Sequence, residues 1–161
     1  MSKQIALERF TEALFTLLEE TFERVRGQYL DRGTSLFETL DTISAAEASR
    51  PVSATCASLA AQVEHVRFFI DVFEGYMLNP DQDDADWGEI WGRVEAVTPE
   101  EWEASQQALK ASYQRVMHRF KTMDSWEGTH DISAPLAIVA HTAYHLGEIR
   151  QALCTIKQQR G

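Results

Sequence analysis

His141 and His145 stand four residues apart in the run Ala140-His-Thr-Ala-Tyr-His-Leu-Gly-Glu-Ile-Arg150. On a helix that spacing sets one side chain above the other, so both imidazoles can reach a single cation. His65 falls on the apolar side of a different predicted helix. Three inward imidazoles from two helices are costly to bury as unsatisfied polar groups, so they are read as ligands of a metal ion. Without an evident fourth protein ligand the coordination sphere is open, as in catalytic rather than structural zinc sites. Imidazole suits zinc, nickel or iron alike, so the divalent ion is left unspecified.

Other metal motifs fail on particular residues. A zincin needs a glutamate where Thr142 stands. A ferritin-like di-iron site needs paired Glu-x-x-His motifs on helices, and Glu127-Gly-Thr-His130 falls in a glycine-containing break, which makes His130 a loop residue. In the acidic stretch from Asp81 to Asp86, Ala85 replaces a calcium ligand and Asp86 the turn glycine. Partners for the second ring nitrogens are sought among Glu64, Glu148 and Tyr144.

The elements that must position these residues follow from periodicity. Ala6, Phe10, Leu14, Leu17, Leu18, Phe22 and Val25 predict an amphipathic helix from about Lys3 to Tyr29. Ser35-Leu-Phe-Glu38 has the capping-box pattern of a short helix before Arg50-Pro51. A second long helix is expected to begin between Ser53 and Ser58 and to stop at Asn79-Pro80. Glu64, Arg67, Asp71 and Glu74 mark its polar side; Val63, His65, Val66, Phe69, Ile70 and Tyr76 lie on the other. From Asn79 to Val97 the period breaks into a long acidic loop, whose Trp87 and Trp91 are expected to pack it onto the helices. Thr98-Pro-Glu-Glu101 starts the third helix, running to about Met123, with His118 facing solvent. The fourth runs from about Ser133 to Lys157, and Ile138, His141, His145, Ile149, Ala152 and Ile156 share its inner arc. Strand-type alternation is absent throughout. The expected fold is all-α: one domain over residues 1–161, a four-helix bundle with one short extra helix between the first two long helices.

Composition limits the function. At 161 residues with 44% hydrophobic and 25% charged residues, the chain can bury a core without staples. A net charge of -10 and no basic block argue against nucleic-acid binding. Charges interrupt the apolar residues of the first nine positions, and no apolar run approaches the ~18 residues of a membrane span, so a cytoplasmic protein without membrane contact is expected. Cys56 and Cys154 are too far apart for a zinc motif and are expected to be buried small hydrophobes.

The inward His of the second helix, with the His-Thr-Ala-Tyr-His-Leu-Gly-Glu-Ile-Arg run of the last, resembles the DinB-like (DinB/YfiT) superfamily of metal-binding four-helix bundles. The resemblance spans nearly the whole chain. Its most specific part is Ile138 to Arg150, where Gly147, Ile149 and Arg150 match a Gly-Gln-Ile-Arg-like segment and Glu148 replaces the commoner Gln. Carried over, the ligands are His65, His141 and His145. The resemblance also implies a homodimer and an activity that uses a low-molecular-weight thiol.

Two functions follow as expectations. One is a metal-dependent thiol S-transferase or isomerase acting on a small-molecule substrate, with Glu148, Tyr144 and Tyr76 the nearest groups for proton transfer. The other is a non-catalytic, stress-related homodimer that holds a metal or small ligand. A pocket at the metal wide enough for a thiol and a second substrate favours the first; a closed, fully coordinated site favours the second. A metal-free structural dimer is a third possibility, in which His141→Ala changes stability and not metal content.

Overall fold

In the computed structural model, which describes residues 5–88, 91, 94 and 96–159, all regular structure is helical. Among these residues six helices form and no strand: α1 (Leu7–Phe22), α2 (Leu36–Leu40), α3 (Ala45–Ala48), α4 (Leu59–Leu78), α5 (Pro99–Thr122) and α6 (Ser133–Gln158). The chain divides into two compact units, Met1–Asp41 and Thr42–Gly161. Among the described residues no helix is long and apolar enough to cross a membrane.

In the first unit α1 buries Leu14, Leu18 and Phe22 and stops at Phe22, seven residues short of the expected Tyr29. The expected start at Lys3 lies outside the described residues. The early stop has a local cause in Glu20, which is wholly buried. Its carboxylate accepts backbone N–H bonds from Arg26, Gln28, Tyr29 and Leu30 at 2.7 to 3.0 Å. The chain bends around that anion through Gly27, whose φ of +80° is a conformation glycine adopts without a Cβ penalty. Burial alone raises a carboxyl pKa, but here four donors outweigh it and hold Glu20 down at about 2. Phe22 then meets Phe37 of α2, ring centroids 5.9 Å apart.

Two short helices, rather than the single one expected, join α1 to α4. α2 has the Ser35–Glu38 box: Glu38 Oε2 accepts from the Ser35 backbone N–H and hydroxyl. α3 has an equivalent Ser44–Glu47 box that pattern reading passed over, because a four-residue helix shows no periodicity.

α4 packs on α5 and α6, with α3 against both α4 and α5. Ser58 caps α4 by accepting from Ala61 N–H, Thr98 and Glu101 complete the box that opens α5, and both starts fall where the sequence places them. The shared core contains Val63, Val66, Ile70, Leu109, Val116, Ile138 and Ile149, each at most 1% exposed and each contributing roughly 2 kcal/mol by leaving water. The polar side of α4 forms a charged seam. Arg67 bridges Glu64 and Asp71, while Arg115 of α5 reaches Asp71 at 2.6 Å and Glu74 at 3.2 Å. Trp102 of α5 donates its indole N–H to Ile43 O at 2.8 Å, tying α5 to the turn before α3.

Both cysteines are exposed, contrary to the expectation that they are buried. Cys56 belongs to the turns before α4. Cys154 lies ~140° around the helix from Ile149 and so leaves the buried stripe of α6.

Candidate metal centre

α4 and α6 bring the three predicted histidines together. Ring centroids are 5.0 Å apart for His65–His141, 4.8 Å for His65–His145 and 4.5 Å for His141–His145. One ligand nitrogen from each lies within 4.8 Å of the other two, so the group could hold a metal ion. His65 and His145 are buried and His141 is half-buried. Each faces inward for a simple reason: it occupies a position on a helix face whose neighbours one turn away are apolar, Ala61 and Phe69 on α4, Ile138 and Ile149 on α6.

The donor set fits a cation on two independent observations. First, the buried ring nitrogens His65 Nδ1 and His141 Nε2 have no hydrogen-bond partner among the described residues, an arrangement whose desolvation cost metal ligation would offset. Second, the imidazoles are poised neutral. Burial, with the neighbouring imidazole of His145, lowers the His65 pKa to about 4; burial and both neighbours lower His141 to about 3. Burial also lowers His145, against the opposing pull of Glu148. At neutral pH all three therefore offer lone pairs, the form that ligates.

Two polar residues of α6 meet the His145 ring: Tyr144 edge-on, with centroids 5.0 Å apart, and Glu148 through its carboxylate. Glu148 Oε2 lies 2.9 Å from His145 Nδ1. The approach leaves Nδ1 short of an aligned hydrogen bond, so the pairing is a close carboxylate–imidazole contact. Tyr144, largely exposed, bonds Glu148 through its hydroxyl, and this bond raises its pKa. Glu64 is turned away and engages Arg67. His118 is exposed, as expected, and His130 sits in the loop before α6 with its ring 5.9 Å from Tyr76.

Aromatic side chains wall the cluster. Phe69 stacks on His141, centroids 3.6 Å apart and planes 8° from parallel. Trp91 stacks on His65 at 4.1 Å and 21°. Trp87 meets Phe68 and Phe69, each at 5.6 Å. The tryptophans thus pack their loop onto α4 as expected, but the choice of His65 as the partner of Trp91 was not readable from spacing. The only signal was that a polar loop carrying two tryptophans needs something to cover.

An open pocket of about 1000 Å³ adjoins the cluster, with His65 and His145 in its wall together with Gln62, Trp91, Tyr144 and Glu148. It reaches Cys56, the exposed thiol in the turns before α4. Comparison with protein-family models, with curated proteins and with solved structures finds no match.

Proposed function

We propose that the chain is a DinB-like metal-dependent enzyme, a thiol S-transferase or isomerase whose divalent ion is held by His65, His141 and His145. The observation that carries this reading is the placement of two members of the histidine cluster, His65 and His145, in the wall of an open pocket. Its size, about 1000 Å³, accommodates a thiol and a second small substrate together. A pocket of that width distinguishes an enzyme from a protein that merely stores a metal in a closed, fully coordinated site.

A divalent cation at this position supplies Lewis acidity that favours the thiolate form of a coordinated thiol. The chain's own residues do the rest. Burial keeps the imidazoles unprotonated, Glu148 orients His145 from its Nδ1 side, and Trp91 and Phe69 exclude water from the faces of His65 and His141. Tyr144 and Glu148, hydrogen-bonded to each other at the pocket wall, are the groups placed to pass a proton to or from a bound substrate. The bundle arrangement and homodimer that the DinB likeness implies belong to the same proposal.

Untagged protein, loaded in turn with zinc, nickel and iron, is to be incubated with glutathione, bacillithiol or mycothiol and an electrophilic substrate. Turnover that requires metal and disappears in His145→Ala supports the enzyme. Stoichiometric metal with neither thiol binding nor turnover leaves the storage reading instead.

A further inference from the structure

The wall of the pocket beside the cluster holds two acceptors that are short of hydrogen-bond donors, one on Gln62 and one on Glu148. Gln62 is about nine-tenths buried, lines the pocket, and its Oε1 has no partner among the described residues. An acceptor shut off from water in this way costs free energy that a ligand's N–H would recover. From α6 comes the carboxylate of Glu148, which has spare acceptor positions beyond its contacts with His145 and Tyr144. Among the described residues lining the pocket Glu148 is the only Asp, Glu, Lys or Arg. A carboxylate on the ligand would therefore meet repulsion that no described lining cation offsets, whereas an ammonium or amide N–H meets two acceptors.

We propose that the pocket selects ligands that bring hydrogen-bond donors to Gln62 Oε1 and Glu148, so that the thiol used here carries an amine or amide rather than a carboxylate next to its sulfur. The thiol part of this statement rests on the metal reading above; the donor preference does not.

The test uses the full chain loaded with cobalt(II), titrated with cysteamine, 2-mercaptoethanol and mercaptoacetate and followed by thiolate-to-cobalt absorption. Cysteamine is expected to bind about tenfold more tightly than mercaptoacetate. Gln62→Leu and Glu148→Gln should each narrow that gap, which separates a pocket effect from the thiols' differing acidity. Metal content is measured on each variant, and Gln62→Leu decides if Glu148→Gln loses cobalt. Equal binding of mercaptoacetate, or a gap that survives the substitutions, overturns the proposal. If the chain takes up no cobalt, the metal reading fails and benzylamine is compared with benzoate on metal-free protein by backbone-amide NMR. Shifts at Gln62 and Glu148 with the amine alone uphold the donor preference; no shift with the amine overturns it.

Discussion

The indole of Trp91 lies flat on the imidazole of His65, centroids 4.1 Å apart and planes 21° from parallel. A residue from the acidic loop thereby covers one face of a residue in the histidine cluster and forms part of the pocket wall. Because stacking of this kind couples the indole's surroundings to whatever binds the imidazole, Trp91 should report on the site. Titration with cobalt or nickel is expected to quench tryptophan emission, and Trp91→Phe should remove most of the change. Equal quenching in the variant would place the metal elsewhere.

Metal content should follow the histidines. Elemental analysis of untagged protein is expected to give roughly one ion per chain, and His65→Ala and His145→Ala should each lower it severalfold, since two imidazoles hold a divalent ion far less tightly than three. Metal at about 100 times its Kd should raise stability by about 2.7 kcal/mol, seen as a higher Tm that EDTA reverses. Unchanged metal content in both variants would assign the ion to another site.

Acid should destabilise the metal-free protein well before general denaturation. His65 titrates near 4 and His141 near 3 in the folded chain, against about 6.5 when unfolded. Between these values the unfolded state binds more protons, so stability falls as pH drops. The stability contribution is complete above pH ~6.5 and is lost as pH falls toward 4 and then 3, on the order of 3 kcal/mol for buried His65. Urea midpoints of EDTA-treated protein between pH 7.5 and 4.5 check this. His141→Phe should flatten the profile; an unaltered slope would mean that the imidazole is already solvated.

Glu20→Gln should loosen the turn after α1 without touching the metal. The amide keeps one acceptor oxygen but turns an NH₂ group toward N–H groups that now share a carboxylate. A loss of about 2–3 kcal/mol is expected from the urea midpoint, with metal content unchanged. In the parent protein the Glu20 contribution is present above pH ~4.5 and is lost as pH falls through about 2. Faster hydrogen exchange at Gln28, Tyr29 and Leu30 should accompany the substitution.

Much of this was legible in the residues themselves. The starts of α4 and α5 follow from Ser58 and from Thr98 with Glu101, because a cap is a contact within one helical turn. The inward set of His65, His141 and His145 follows from the apolar neighbours on each helix face, since 3.6-residue periodicity fixes which side a residue takes. That two different helices would carry those rings to within 5.0 Å of each other depends on how α4 and α6 pack, a relation between distant stretches that no local pattern contains.

The same division explains what was missed. Periodicity carried α1 on to Tyr29, but the chain turns earlier because Glu20 collects N–H groups from residues six to ten positions later. Neither cysteine could be placed by its sequence neighbours alone, and both are exposed. Trp91 on His65, Glu148 on His145 and the unpartnered Gln62 oxygen in the pocket wall arise from the placement of side chains in space. Residue types and spacing by themselves determined an all-helical chain with three imidazoles on inward faces, because helix phase is a short-range property. Tertiary packing decided that those imidazoles meet and that a pocket opens beside them, because convergence depends on the angles and distances between helices.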